Sequence, residues 1–438
     1  MKYYSTNHEA PLASLKDAVV RGLAPDGGLY MPQSITRLPD AFFNNMSEMT
    51  LPEIAFMVAD TLFGDDIEPE QLKRIVYDTL SFEIPLKKVE DNIYVLELFH
   101  GPTLAFKDVG ARFMARMLGY FNNLDNTGTV NVLVATSGDT GSAVANGFLN
   151  VPGVHVYVLY PKGKVSKLQE MQFATLGANI TALEIDGTFD DCQAMVKQAF
   201  VDQQLNKAMK LTSANSINPA RFLPQMFYYF GAIAQLQKQL GTKSLRSLNA
   251  VVSVPSGNLG NICSALIGAR MGLPISRFVA ANNANDVFTQ YLNSGEYSPR
   301  PSVQTIANAM DVGAPSNFAR IMDLYQSNHG QVASVIAGRR YSDDEIRNAL
   351  REVEQRTGYQ LDPHGATAYM ALKDELKPGE NGIFLETAHP AKFKETVESA
   401  IGQQIDAPER LAKFMERKKQ SIYMPATFSA LKKFLLTR

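Results

Sequence analysis

The sequence predicts an α/β protein of two doubly wound lobes with mainly parallel sheets, behind an N-terminal helical extension. Three observations carry that expectation. From about residue 92, short β-branched runs alternate with helical periods, the pattern of βα units in a parallel sheet. These runs fall into two sets, separated by a long apolar helix and a polar link. At 438 residues the chain also exceeds what one simple core accommodates, so two or three packed lobes are expected.

Taken in order, residues 1–90 read as a helical extension with an irregular beginning. LPEIAFMVADTLF (51–63) is its clearest helix, with Ile54, Met57 and Leu62 close to one apolar face. The turn PDGG (25–28) marks a loop where the backbone needs positive φ, or simply an ordinary tight turn. Residues 91–240 form the first lobe. Ile93, Tyr94, Val95, Leu96, Leu98 and Phe99 make a strand that Gly101 and Pro102 end, and NVLVAT (131–136), VHVYVLY (154–160) and ITALEI (180–185) follow. FLPQMFYYFGAIAQLQKQL (222–240) reads as one long helix leading to the polar link 241–247, the expected lobe boundary. Residues 241–400 form the second lobe, with AVVSVP (250–255), RFVAA (277–281) and GIFLET (382–387) as strands. The tail 401–438 reads as helical. In sheets of this kind ligands bind beyond the carboxyl ends of the strands.

Composition excludes several function classes. Lys plus Arg number 42 against 44 Asp plus Glu, a formal net charge of −2, so no overall basic field draws nucleic acid or an anionic membrane surface. Affinity for phosphate must therefore be local. Cys192 and Cys263 lie in unrelated segments and form neither a C-x-x-C pair nor a disulfide framework, which suits a reduced cytoplasm. The start MKYYSTNHEA has no apolar run behind a basic end, and no stretch approaches roughly eighteen uninterrupted apolar residues. A cytoplasmic protein with a small-molecule substrate, and with neither nucleic-acid nor membrane partners, is expected; monomer and dimer both stay open.

The chemistry concentrates in a few strand-to-helix junctions. In HGPTLAFKD (100–108), Lys107 stands between an apolar strand and a helix whose Val109, Phe113, Met117 and Tyr120 share one face. Leu104, Ala105 and Phe106 would partly desolvate its ammonium, disfavouring the charge and yielding the nucleophile that a Schiff-base lysine needs. Alone, the same pattern fits any surface lysine near a helix start. In VPSGNLGN (254–261), Gly257 and Gly260 allow close backbone approach, so successive N–H groups and a helix N-terminus converge as a phosphate cup. It is neither G-x-x-x-x-G-K-S/T nor G-x-G-x-x-G, which argues against a P-loop or a dinucleotide fingerprint; a plain glycine-rich turn is its other reading. ATSGDTG (135–141) repeats that layout, and Ser137, Asp139 and Thr140 serve either as N-caps or, with free N–H groups, as a seat for a carboxylate. SANSINPAR (213–221) gathers Asn215, Ser216 and Arg221 around Pro219, a favourable first helical residue; Arg221 pairs with phosphate oxygens or sits on a solvated helix end. His100, His364 and His389 lie in or near these motifs without H-E-x-x-H or matching Cys-His spacing, so no metal is expected; DPHG (362–365) is a candidate pocket wall.

HGPTLAFKD, ATSGDTG, SANSIN (213–218), VPSGNLGN and TAHPAKF (387–393), in this order, closely resemble the threonine synthases of the long-chain bacterial and fungal branch, over nearly the whole chain. The resemblance implies the fold of the tryptophan synthase β-like, fold type II, pyridoxal 5′-phosphate enzymes, and conversion of O-phospho-L-homoserine and water to L-threonine and inorganic phosphate. It implies that Lys107 is the catalytic, cofactor-linked lysine. Gly257, Asn258, Leu259, Gly260 and Asn261 would wrap the cofactor phosphate, with the Thr387 hydroxyl at the pyridine nitrogen, where it favours ring protonation less than an aspartate would. Many relatives with this fold carry asparagine at the position of Asp139, against the ring hydroxyl; a carboxylate cannot donate that bond unless protonated, so Asp139 is a cofactor candidate whose contact stays open. Thr103, Ser137, Gly138 and Thr140 become candidates for the substrate's amino-acid end, and Asn215, Ser216 and Arg221 for its phosphate. A threonine or serine dehydratase of the same cofactor fold has no use for that last trio. A non-catalytic paralogue is disfavoured by the intact Lys107.

Overall fold

A computed structural model describes residues 1–125, 128–242 and 244–437. Residue 243, in the polar link expected as a lobe boundary, lies outside the described residues. In chain order the strands are β1 (Lys2–Ser5), β2 (Ala13–Ser14), β3 (Tyr30–Pro32), β4 (Leu86–Glu90), β5 (Ile93–Glu97), β6 (Val130–Ala135), β7 (Val154–Pro161), β8 (Ile180–Asp186), β9 (Lys210–Ser213), β10 (Ala250–Pro255), β11 (Ile275–Asn282), β12 (Ile336–Arg340), β13 (Asn381–Glu386) and β14 (Ser421–Pro425). Contacts divide the chain into two compact units. The first comprises Met1 with residues 31–106 and 222–406; the second comprises 2–30, 107–221 and 407–438. The N-terminal residues are thus shared out between the units, and besides the helices Leu51–Phe63 and Pro69–Thr79 they supply β1 to β3.

The first unit is built on a six-stranded sheet in the order β12-β11-β10-β13-β5-β4. Neighbours from β12 to β5 run parallel, and β4 closes one edge antiparallel to β5. Every residue of β5, β10 and β13 is buried, as expected for parallel strands covered on both faces. Helix Pro363–Glu375 covers one face, and the buried Ser253 hydroxyl is satisfied there by the carbonyl of Ala368 at 2.7 Å. Chain order assigns β5 to the first alternating set, but in the sheet it joins β10, β11 and β13 of the second. Its apolar sequence requires cover on both faces, which either sheet supplies, so the pattern marks a buried strand without choosing its sheet. The long helix starts at Met226 rather than at residue 222, because Pro224 sits in a preceding 3-10 turn and cannot donate an N–H to a continuous helix.

The second unit carries a five-stranded sheet, β14-β8-β7-β6-β9, with all neighbours parallel. Leu133, Tyr157, Leu183 and Ile185 meet Cys192, Met195, Leu431 and Leu435 in its core. The tail is not helical throughout. SIYMP forms β14, an edge strand anchored by the buried Met424, and helix Phe428–Leu436 packs Leu431 and Leu435 inward. Helices Lys107–Asp125 and Asp139–Phe148 pack closely in this unit, where Gly147 lets its helix approach the backbone of Ala111.

Candidate active site

In the six-stranded sheet the chain runs from β10 outward to β11 and β12, then returns to β13 on the other side of β10. That reversal is a topological switch point, and ligands bind outside the carboxyl ends of the strands that flank one. The turn 256–261 follows β10, and Thr387 follows β13. β5 is the next neighbour, its Glu97 in register with Glu386, and the loop that leads to Lys107 leaves its carboxyl end. Three motifs far apart in sequence therefore emerge from the same end of adjacent strands, across two interstrand spacings or roughly 10 Å.

Two of these motifs form one structure. Phe106 N–H donates to the Thr387 carbonyl at 2.9 Å and His389 N–H to the Leu104 carbonyl at 3.1 Å, around an antiparallel bridge between Ala105 and Ala388. Lys392, itself buried, donates through Nζ to the carbonyl of the buried Thr103 at 2.9 Å. Leu104 takes a left-handed φ of +57° to make the turn, a conformation that is costly for a branched residue and held by this stitching. Thr387 is buried, and Lys107 begins its helix one residue beyond Phe106.

The turn after β10 is shaped to receive an anion. Leu259 is left-handed, φ +61°, at the start of helix Gly260–Arg270, which turns successive backbone N–H groups toward one point. A Cβ on Gly257 would lie 2.8 Å from Met310 Cα and 3.0 Å from the Ala309 carbonyl, so only glycine lets the loop lie that close. Asn258 is fixed through Oδ1, which accepts from Ser316 N–H at 2.6 Å, and through its carbonyl, which accepts from Asn317 Nδ2 at 2.9 Å. Asn261 is buried and its Nδ2 finds no acceptor among the described residues. Strained N–H groups, a helix start and a spare buried donor make a fitting cradle for a phosphate.

The five-stranded sheet has a switch point too. The chain runs from β6 out to β7 and β8 and returns as β9 on the other side of β6. Residues 136–141 leave β6 and residues 214–218 leave β9, so Ser137, Gly138, Asp139, Thr140, Asn215 and Ser216 share that switch, and Asn215 Nδ2 reaches the Ala135 carbonyl at 3.4 Å. The N-cap reading of Ser137, Asp139 and Thr140 fails: Thr136 Oγ1 accepts from the N–H groups of Gly138 and Gly141 at 2.9 and 2.8 Å. The hydroxyls of Ser137 and Thr140 bond to no protein group among the described residues. Asp139 Oδ1 accepts from Gln169 Nε2 at 2.9 Å, and Gly138, at φ +145°, leaves room for that glutamine. Arg221 is not on a solvated helix end. It is 2% exposed, and its Nη1 donates to the Lys107 carbonyl at 3.1 Å, while Gly110 admits the Arg221 backbone against the first turn of the lysine helix. Burial lowers the Arg221 pKa to about 10, with the Asp108 charge opposing.

The histidines named in the sequence, and Glu386, which it did not single out, sit around the switch points. His364 is buried: Nε2 accepts from Ala309 N–H at 3.1 Å, so Nδ1 carries the proton toward Asp362 Oδ1, also at 3.1 Å. Glu386, next to Thr387, accepts from Asp362 N–H, and burial beside Asp362 and Glu97 raises its pKa well above the ordinary carboxyl value. His389 is lowered to about 4, chiefly by burial, and stays neutral. Glu386 alone of this set escaped the sequence reading, because a glutamate at the end of an apolar strand carries no motif of its own. Among the described residues no cluster of His, Cys, Asp and Glu is arranged to hold a metal, and no helix is long and apolar enough to cross a membrane.

Residues 78–387 match the family described as pyridoxal-phosphate dependent enzyme, residues 2–80 the threonine synthase N terminus, and residues 364–435 the threonine synthase C-terminal family. The chain is 45% identical over 436 residues to threonine synthase of Haemophilus influenzae, covering 100% of both chains. The crystal structure of threonine synthase from Escherichia coli superposes with a TM-score of 0.92 at 41% identity, covering 100% of each chain. The structure of pyridoxal-phosphate-bound threonine synthase from Brucella melitensis gives 0.92 at 33% identity, over 100% of this chain and 99% of that one. On these matches and on the geometry of its switch points, the chain belongs to the threonine synthase family of pyridoxal-phosphate dependent enzymes.

Proposed function

We propose that the protein converts O-phospho-L-homoserine and water into L-threonine and inorganic phosphate, in the cytoplasm. The observation that carries this reading is the stitching of the Lys107 loop to Thr387 beside the turn 257–261, at the switch point where a coenzyme would lie. Whole-length kinship with threonine synthases supports the choice of reaction.

In this reading Gly257, Asn258, Leu259, Gly260 and Asn261 hold the cofactor phosphate and Thr387 faces the ring nitrogen. Bound pyridoxal phosphate supplies an electron sink for charge developing at the substrate Cα. Lys107 is the catalytic amine, moving protons among Cα, Cβ and Cγ as general base and acid. Thr103, Ser137, Gly138 and Thr140 orient the amino-acid end, and the uncommitted hydroxyls of Ser137 and Thr140 suit that task. Asn215, Ser216 and Arg221 hold the leaving phosphate. Arg221 does so from beneath the first turn of the lysine helix, its cation fixed by the Lys107 carbonyl. Asp139, a cofactor candidate, is held in place by Gln169, whose Nε2 donates to its Oδ1.

The test is stoichiometry. Purified protein loaded with cofactor and given O-phospho-L-homoserine is expected to release phosphate and threonine in equal amounts. Faster formation of 2-ketobutyrate from threonine would select a dehydratase instead.

A further inference from the structure

The turn after β10 has a support that its own residues do not provide. Asn261, 6% exposed, is the second residue of helix Gly260–Arg270, and its Oδ1 accepts two hydrogen bonds, from Tyr228 Oη at 2.6 Å and from Tyr229 Oη at 2.8 Å. The two tyrosines are consecutive on helix Met226–Leu240, 0% and 1% exposed, with ring centroids 5.0 Å apart and planes tilted by 40°. Neighbours in a helix normally point in different directions, so two successive hydroxyls on one atom are an unusual convergence. The 2.6 Å separation is shorter than an N–H···O bond and within the range of O–H···O bonds, which identifies the amide oxygen as the atom facing the tyrosines. The nitrogen is thereby turned to the other side of the amide, buried, with no acceptor among the described residues. Native interiors rarely leave such a donor unpaired, and each one asks for a partner. Burial keeps both phenols protonated, so the clamp persists across the working pH range.

We infer that Tyr228 and Tyr229 are positioning residues that lock the Asn261 amide so that Nδ2 donates to the phosphate of the cofactor. The inference rests on the reading of residues 257–261 as the cofactor's phosphate cup. Neither tyrosine touches the cofactor in this scheme; they act through Asn261. Without them the amide is free to rotate and present its oxygen to an anion, which repels instead of binding.

The experiment is a cofactor titration of apoprotein, followed by absorbance, with pyridoxal phosphate and in parallel with pyridoxal, which lacks the phosphate. Tyr228→Phe and Tyr229→Phe are each expected to weaken pyridoxal phosphate several-fold, and the double variant about tenfold or more, through loss of an oriented charge-assisted bond. Pyridoxal affinity is expected to stay at the wild-type value, and the ³¹P resonance of the bound cofactor to shift. The phenylalanine variants keep the ring volume, and the melting temperature of each apoprotein checks the fold. Wild-type affinity for pyridoxal phosphate in both single variants and the double variant overturns the inference; so does an equal loss for pyridoxal, which is the mark of a merely structural role. Asn261→Ala separates the two levels. Weakened phosphate-dependent binding there with unaffected tyrosine variants sinks only the clamp; unaffected binding in Asn261→Ala removes Nδ2 from the phosphate and overturns the inference, and the cup itself falls only if Gly257→Ala also leaves pyridoxal phosphate affinity unchanged.

Discussion

Phe106 donates its backbone N–H to the carbonyl of Thr387 at 2.9 Å. One hydrogen bond thus ties the residue before Lys107 to the residue that follows the strand β13. The bond belongs to a short antiparallel ladder, with Ala105 bridged to Ala388 and His389 bonded to Leu104. The consequence is positional: the start of the lysine helix is referenced to the sheet and not to a free loop. A nucleophile placed in this way loses little entropy on reaching its target.

Lys392 extends the same ladder, and its removal is expected to loosen it. Lys392→Met keeps most of the apolar stem but removes the ammonium that donates to the buried Thr103 carbonyl. Loss of that charge-assisted bond costs about 1–3 kcal/mol, partly offset here by relief of a buried charge. The expected result is a loss of about 1–2 kcal/mol in unfolding free energy together with faster hydrogen exchange at the amides of residues 104–106. Exchange by mass spectrometry, compared with a distant control peptide from β7, checks it.

Lys107→Ala removes the amine while keeping the backbone carbonyl that Arg221 grips. Turnover of O-phospho-L-homoserine and the visible absorbance of the lysine-linked cofactor are both expected to vanish. The far-ultraviolet circular dichroism should match wild-type apoprotein, because the substitution leaves the first turn and its packing in place. An unchanged visible spectrum would refute the assignment of Lys107.

How far the sequence reaches can be seen in individual residues. β5, β10 and β13 were legible because strands buried on both faces are apolar runs, and helix Leu51–Phe63 because its apolar period shows, although the buried face runs through Ile54, Val58 and Leu62 and leaves the expected Met57 exposed. β4 and β12 were not, since edge strands carry charge, Lys87 and Lys88 on one, Arg339 and Arg340 on the other. β9 is too short for a period to show, and β14 buries only Met424, so no apolar run marks it. Motifs such as VPSGNLGN reveal a loop that invites an anion, but strand order alone reveals that this loop stands at a switch point. The Tyr228–Asn261 bond and the Arg221–Lys107 bond join segments 33 and 114 residues apart, and no local pattern encodes such pairings.

Gly257→Ala tests the closeness of the cup. The added methyl would meet backbone, Met310 Cα at 2.8 Å and the Ala309 carbonyl at 3.0 Å, so the loop must shift instead of a side chain yielding. Overpacking of this kind costs about 1–3 kcal/mol. Because the loop carries the phosphate-facing N–H groups, most of that is expected to appear as about a tenfold weaker affinity for pyridoxal phosphate, measured by titration of apoprotein. Gly330→Ala serves as the control, since its φ is not left-handed and a Cβ there meets only the Asn328 side-chain oxygen, at 3.4 Å.

Glu386 gives the fold a pH dependence of definite sign. Its carboxyl is wholly buried, faces Asp362 and Glu97, and has a pKa raised well above the ordinary 4.5, with burial as the largest cause. Between those two values the folded chain holds a proton that the unfolded chain releases, so the stabilisation is complete below pH 4.5 and is lost as the pH climbs toward the folded value. For one proton the slope is about 1.4 kcal/mol per pH unit. Glu97 is shifted the other way, chiefly by the bonds from His100, Lys87 and Tyr359 that outweigh its burial, so it loses its stabilisation only as the pH falls toward its own lowered value. Glu386→Gln carries no proton to lose. Urea unfolding of apoprotein between about pH 5 and 8 is therefore expected to show the wild type weakening relative to Glu386→Gln as the pH rises. Parallel curves for the two proteins would mean that Glu386 is ionised in the fold.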